Sequence, residues 1–175
     1  MPHDKLQRMI YREFLLEPNL YREVGLDALP DKLGQAIGEP ADRAVAAVLG
    51  SPDLGGLPLE TLQRLLAIRD MALVSRTAAA ISAELKAPDA TYQACCRRAL
   101  CYAVIGSEPH AFAALRAAAS KNDDWARHHY LYGLILGSGG RRDNALAELE
   151  RALACEPYDD ARARIRVVID LLERS

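Results

Sequence analysis

The chain has 175 residues, with 22 basic and 24 acidic side chains and a formal net charge of −2 at pH 7. Because the two signs are balanced and interspersed, the sequence excludes a global field that would collect nucleic acid or an anionic membrane. Half of the residues are hydrophobic but only 6% are aromatic, so Ala, Leu and Val supply most of the packing. Ala and Leu are strong helix formers, and β-branched runs with a period of two residues are missing, so we predict an all-α fold.

The N-terminal third is predicted to be a small helical module covering residues 1–50. In the segment KLQRMIYREFLL, apolar residues recur every four positions at Leu6, Ile10 and Phe14, which is typical of an amphipathic helix. The segment ADRAVAAVLG begins after Pro40 and ends in a glycine, as helices often do. We interpret the module as packing onto the rest of the chain, with SPDLGGLP as the linker that follows it. Self-association through the module is the alternative interpretation.

The sequence carries no pattern that we interpret as a targeting or membrane signal. Charged residues interrupt the first apolar stretch, and no apolar run reaches the roughly 18 residues that a membrane-spanning helix needs. The cysteines lack the CxxC spacing of metal and redox sites, which favours reduced thiols. We therefore expect a cytoplasmic protein that does not insert into membranes.

From Tyr92 onward the sequence repeats with a period of 34 residues. The paired positions carry residues of similar size: Ala99 with Gly133, Tyr102 with Leu136, Gly106 with Gly140, Ala111 with Ala145, Leu115 with Leu149 and Ala118 with Ala152. A mid-helix glycine such as Gly133 costs about 1 kcal/mol relative to alanine, and close approach of a neighbouring helix is the usual compensation. The period predicts helical hairpins at 92–125 and 126–159, a degenerate hairpin at 58–90 and a capping helix at 159–174.

The order of a small residue, a large apolar residue, Gly, Ala, a bulky residue, Ala and Pro resembles the tetratricopeptide repeat (TPR). In the second unit Pro157 closes the pattern, whereas Asp123 stands in that position in the first unit. Both units lack the tryptophan that is common near the start of this repeat. The resemblance implies antiparallel helical hairpins stacked into a right-handed superhelix whose concave face binds other proteins.

The resemblance also implies which residues line the concave groove, since the first helix of each hairpin faces it. The expected groove residues are Gln93, Cys96, Arg97, Leu100 and Val104 in the first unit and Arg127, Tyr130 and Leu134 in the second. Lys and Asn, which grip the acidic C-termini of heat-shock chaperones in similar proteins, are replaced by apolar, aromatic or sulfur-containing side chains. We expect the groove to bind an amphipathic helix or an extended apolar segment of a partner, with Tyr130 as the main anchor. In the alternative, a helix from residues 1–50 fills the groove, as an autoinhibitor or as part of the fold.

No combination of residues in the sequence predicts catalysis, a bound metal or a cofactor. His128 and His129 are adjacent on a helix and diverge by about 100°, so they cannot chelate one metal, and we expect solvated or groove-lining imidazoles. The segment GSGG lacks the Lys-Ser/Thr and the preceding strand of a phosphate-binding loop, and we interpret it as a turn. We expect a protein that is not an enzyme.

The function that these features favour is a cytoplasmic adaptor or chaperone that holds one protein partner. Its small size and apolar groove are similar to those of secretion-type chaperones. A non-catalytic subunit of an enzyme or of a secretion-type assembly is the second hypothesis, with the N-terminal module making the permanent contact. An enzyme with a pocket between the module and the array is the third.

Overall fold

The computed structural model describes residues 2–17, 20–23, 26–50, 79, 91–122 and 124–175. Regular secondary structure within these ranges is α-helical, which confirms the all-α prediction for this part of the chain. The predicted linker at 51–58 and the degenerate hairpin at 58–90 lie outside the described residues, apart from residue 79, as does Asp123. In chain order the helices are α1 (Pro2–Leu16), α2 (Leu20–Glu23), α3 (Leu29–Ile37), α4 (Ala41–Gly50), α5 (Tyr92–Val104), α6 (Glu108–Lys121), α7 (Ala126–Ser138), α8 (Arg142–Cys155) and α9 (Asp159–Glu173).

The two hairpins, α5–α6 and α7–α8, turn in the same way. Gly106 and Gly140 adopt left-handed φ angles of 84° and 80°, which residues with side chains rarely adopt. In both turns the residue after the glycine donates its N–H to the carbonyl four positions before the glycine, over 2.8 Å and 2.9 Å. The glycine itself donates to the carbonyl three positions before it, over 3.1 Å in both turns. These paired bonds form the Schellman motif, so the sequence period of 34 residues corresponds to repeated backbone geometry.

Small side chains allow the two helices of each hairpin to pack closely. A Cβ atom added to Gly133 in α7 would lie 2.5 Å from Cγ of Leu149 in α8, which is too short for a real contact. The expectation that a neighbouring helix approaches this glycine is therefore confirmed. The alanines and leucines that repeat with the period are fully buried: Ala99, Ala111, Leu115, Ala118, Ala145, Leu149 and Ala152.

Successive helices pack against one another along the array. α6 contacts α7, α8 contacts α9, and the first helices of the hairpins, α5 and α7, also contact each other and form a shared face. As expected for a capping helix, α9 buries Ile165, Val168 and Leu172. The Nε–H of Arg142 donates to the Leu172 carbonyl over 2.8 Å, and the Ser175 hydroxyl donates to the same oxygen over 2.7 Å, so the end of α9 is tied to the start of α8.

The N-terminal helix packs onto the array rather than standing apart from it. α1 lies on the shared face of α5 and α7, and it also contacts α2, α4 and α9. The apolar stripe predicted for α1, Leu6, Ile10 and Phe14, is its buried side, together with Tyr11 and Leu15. These side chains belong to the same hydrophobic cluster as the buried residues of both hairpins. α3 and α4 pack against each other, and α4 reaches α1.

Candidate functional site

α1 occupies the face that the sequence predicts as the partner-binding groove. All of the predicted groove residues lie on α5 or α7, the two helices against which α1 packs. The least accessible of them, each 8% exposed or less, are Cys96, Leu100, Tyr130 and Leu134. The more accessible ones are the half-buried Arg97, Val104 and Arg127 and the exposed Gln93. A helix from residues 1–50 is thus the observed occupant, and partner binding at these positions stays a prediction.

Two glutamates, Glu13 in α1 and Glu17 just after it, anchor the helix to arginines of the array. The Nη1 of Arg127 lies 2.5 Å from Oε2 of the buried Glu13, and its Nη2 lies 3.0 Å from Oε1 of Glu17. Arg164 of α9 approaches Glu13 at 3.7 Å, and Arg97 of α5 approaches Glu17 at 3.8 Å. Removing one partner of a buried ion pair costs roughly 3–5 kcal/mol, so this cluster holds α1 in place.

The first turn of α1 lies against the C-terminal end of α7. The Nδ1–H of His3 donates to the carbonyl oxygen of Ser138, the last residue of α7. Carbonyls in the last turn of a helix have no intrahelical donor, so His3 supplies one. A Cβ atom on Gly137 would lie 3.0 Å from Cδ1 of Leu6 and 3.3 Å from Cδ2 of Leu172. The absence of a side chain at Gly137 therefore lets α1, α7 and α9 meet at one point.

Burial and the glutamates change the pKa values of groove residues. Burial raises the pKa of the Tyr130 phenol, and Glu13 raises it further. Burial lowers the pKa of the Arg127 guanidinium, but Glu13 and Glu17 outweigh burial and raise that pKa above its ordinary value. Burial raises the pKa of the Cys96 thiol to about 12. At neutral pH Cys96 is therefore a protonated thiol, which is not an activated nucleophile.

The adjacent histidines of α7 have different hydrogen-bond partners, but the expectation that their rings diverge is wrong, because the two ring centroids lie 4.0 Å apart. His128 is buried, its backbone N–H donates to the Tyr92 hydroxyl over 2.9 Å, and its Nδ1 lies 2.9 Å from the same oxygen. The Tyr92 ring also meets Trp125 edge-on, with centroids 4.4 Å apart. The Nδ1 of His129 lies 2.8 Å from Oε2 of Glu148 in α8. The expectation of a solvated or groove-lining imidazole is wrong for His128, because Tyr92 brings a hydroxyl into the interior as its partner.

An open trough lies between α1 and α9. Its main part has a volume of about 520 Å³, with Met9, Val167 and Leu171 on its floor and Lys5, Arg8 and Arg174 on its rim. A smaller hollow of about 170 Å³ shares Met9 and Val167 with it and is also lined by Arg12, Glu13 and Arg164 and by Tyr130 of α7. We call the two hollows together the lateral trough. Sequence reasoning missed it because its two walls come from opposite ends of the chain.

Sequence reasoning also missed the two glutamates that pair with the groove arginines. It predicted Arg97 and Arg127 as groove residues, but it nominated neither Glu13 nor Glu17 as their partners. The available signal was the spacing of four residues between the two glutamates, which places both carboxylates on one side of a helix. That spacing could not say which arginines they would meet.

The described residues show no arrangement that would hold a metal ion from three or more His, Cys, Asp or Glu side chains. None of the helices in the described ranges is long and apolar enough to cross a bilayer.

Comparison of the chain with family models, with curated proteins and with solved structures gave no match. The site is therefore interpreted from its own geometry.

Proposed function

We propose that this protein is a non-catalytic adaptor or chaperone that binds an amphipathic segment of another protein. The observation that carries the proposal is the placement of α1, an amphipathic helix on the shared face of α5 and α7. Its apolar side is buried, and Glu13, which is buried with it, is paired with Arg127. This is the helix-in-groove mode by which helical surfaces recognise peptide segments. Here the array uses that mode on its own N-terminal helix.

The proposal includes a TPR-like right-handed superhelix as the architecture of the array. Two observations support it: the turns at Gly106 and Gly140 have matching φ angles, and the first helices of the hairpins contact each other. In arrays of this kind each hairpin buries its apolar face against its neighbours, and the stack presents an extended concave surface for binding. The architecture thus favours recognition of a protein segment over chemistry on a small molecule.

The concave groove is unavailable to a partner while α1 stays in place. Burying side chains such as Leu6, Ile10 and Phe14 stabilises a protein by about 1.5–3 kcal/mol each. The buried Glu13–Arg127 pair adds to these contacts. The free energy needed to remove α1 is therefore comparable with the about 5–15 kcal/mol that stabilises a whole domain. We therefore favour a partner that binds the surface completed by α1 over a partner that replaces α1 in the groove.

The test of this function uses the full-length protein and a protein that it retains from its native cell, identified by mass spectrometry. Sedimentation of the reconstituted pair is expected to show a complex of fixed stoichiometry, and amide hydrogen exchange is expected to show α1 protected in both states. If no protein is retained in stoichiometric amounts, the adaptor function is wrong. If the α1 amides lose protection when the partner binds, the partner replaces α1 and our choice between the two modes is wrong.

A permanent subunit of a larger assembly is the second candidate function. It is favoured by large apolar side chains left on the surface, the most accessible being Tyr158 at 74% and Val167 at 55% exposed. A permanent subunit purified alone would leave this surface uncovered and would aggregate or pair with a second copy. A transient adaptor would be monodisperse, so sedimentation of the isolated chain separates the two. The same sedimentation experiment tests self-association through residues 1–50. The proposal also includes a cytoplasmic location, which cell fractionation tests.

A further inference from the structure

The lateral trough is formed by two helices that run antiparallel. Near one end, Leu6 of α1 and Leu172 of α9 both approach Gly137. Near the other end, Glu13 of α1 pairs with Arg164 of α9. Between these points the trough follows about two turns of each helix, on the order of 11 Å at 1.5 Å per residue. That length suits a short helical segment lying along the trough.

The floor of the trough is apolar and accessible. Val167 is 55% exposed although it lies on the same helix as the buried Val168. Met9 and Leu171 flank it and are only partly buried. Methionine is flexible and polarisable, so Met9 can adapt to the side chains of a ligand. An accessible apolar strip between two helices is the counterpart of the apolar side of an amphipathic helix.

The rim of the trough is basic. Lys5, Arg8 and Arg174 line its main part against a single carboxylate, Asp170. In the smaller hollow Arg12 and Arg164 stand beside Glu13, which is already paired with Arg127 and Arg164. The trough therefore carries an excess of positive charge in a protein whose formal net charge is −2. This local excess favours a ligand that carries negative charge on its flanks.

Two arginines that line the trough, Arg8 and Arg12, each have a hydrogen-bond donor without a partner. The Nε atoms of Arg8 and Arg12 are buried, and neither has a hydrogen-bond partner. An unpaired buried donor is unfavourable, and bonds to a charged acceptor are the strongest that a guanidinium makes. Carboxylates are planar acceptors that match the guanidinium fork, so acidic side chains of a ligand suit the guanidinium groups of Arg8 and Arg12 that line the two hollows.

We propose that the lateral trough binds an acidic amphipathic helix of a partner protein. Apolar residues of that helix at spacings of three and four rest on Met9, Val167 and Leu171. Glutamates or aspartates on its two flanks pair with Arg8 and Arg12 on the α1 side and with Arg174 on the α9 side. This inference rests on the proposed adaptor function and adds to it the place and the chemistry of the bound segment.

The test uses the full-length protein and a fluorescent synthetic peptide about three turns long, with leucines at spacings of three and four and glutamates on both flanks. A second peptide carries lysine in place of every glutamate. Fluorescence anisotropy is expected to show saturable binding of the acidic peptide, at least about tenfold tighter than that of the lysine peptide and weakened by salt. Equal binding of the two peptides, or no binding of the acidic one, would overturn the inference.

Variants then locate the site. Arg8→Glu combined with Arg12→Glu is expected to weaken binding of the acidic peptide about tenfold or more, because two attractions become repulsions. Val167→Glu is expected to weaken it similarly by placing charge on the apolar floor. Arg166→Glu is the matched control: Arg166 is exposed on the same helix but lines neither hollow, and this variant should bind nearly as well as the unmodified protein. Circular dichroism melts confirm that each variant is folded before its affinity is compared.

Two other occupants are outcomes of the same experiment. If Val167→Glu abolishes a concentration-dependent dimer in sedimentation while the peptide does not bind, the trough is covered by a second copy of the chain. If phosphatidylglycerol vesicles bind through Arg8 and Arg12 and the peptide does not, the ligand is a membrane. Either result overturns the inference. A native partner that is retained equally by the unmodified protein and by Arg8→Glu/Arg12→Glu would also overturn it, but would leave the proposed adaptor function intact.

Discussion

The shared face of α5 and α7 and the lateral trough between α1 and α9 are both apolar surfaces edged by arginines, but only the first is filled. On the shared face Arg127 contacts Glu13 and Glu17. On the trough the Nε atoms of Arg8 and Arg12 have no hydrogen-bond partner. An apolar stripe alone therefore does not decide which surface a helix covers. Matched charge at the edge makes one position of the helix more favourable than the others.

The largest expected effect of sealing the shared face of α5 and α7 is on the reactivity of the Cys96 thiol. Burial raises the pKa of Cys96 from 9.0 to about 12, which lowers its thiolate fraction at neutral pH by about three orders of magnitude. Iodoacetamide labelling followed by mass spectrometry should therefore modify the half-buried Cys155 first and leave Cys96 unmodified in the folded protein. In urea both should react at similar rates. Labelling of folded Cys96 as fast as Cys155 would show that α1 does not seal this face.

The next largest effect is expected from loss of the apolar side of α1. Phe14 is among the largest fully buried side chains, so Phe14→Ala should lower the free energy of unfolding by about 3–5 kcal/mol. Val167→Ala is the matched control on the open trough and should change it by no more than about 0.5 kcal/mol. Urea denaturation measures both. A cost below about 1 kcal/mol for Phe14→Ala would mean that α1 contributes little to the fold.

A smaller effect separates the two glutamates that hold α1. Glu13→Gln should lower the free energy of unfolding by roughly 3 kcal/mol, because its carboxylate is buried between Arg127 and Arg164. Glu17→Gln should cost less than about 1 kcal/mol, because Glu17 is about a quarter exposed and solvent screens its ion pairs. Thermal and urea unfolding compare the two substitutions directly. Equal costs would contradict the assignment of Glu13 as the main anchor.

The smallest effect is expected at the trough, and it has the opposite sign. Arg8→Met removes a buried Nε donor that has no hydrogen-bond partner, so it should leave the free energy of unfolding unchanged or raise it by up to about 1 kcal/mol. The same substitution should weaken binding of the acidic helical peptide. Urea denaturation and anisotropy on one preparation measure both. A decrease of more than about 1 kcal/mol in the free energy of unfolding would show that Arg8 stabilises the fold and is not reserved for binding a ligand.

The helices and their buried sides could be predicted because they depend on local spacing. Leu6, Ile10 and Phe14 recur every four residues, and they form the buried side of α1. The turn glycines Gly106 and Gly140 repeat with the period, and both adopt positive φ. The burial of His128 could not be predicted, because nothing in its own segment indicates that Tyr92 would bring a hydroxyl to it.

The sequence by itself determined an all-α chain, the two hairpins and the small residues at which their helices meet, because these features arise from contacts within a few helical turns. That α1 covers the shared face of α5 and α7 and that the lateral trough stays open follow only from the tertiary structure. Glu13 and Arg127 are 114 positions apart, and Met9 lies still farther from Val167. Many arginines along the chain could pair with these glutamates, and folding selects among them through shape, burial and charge together.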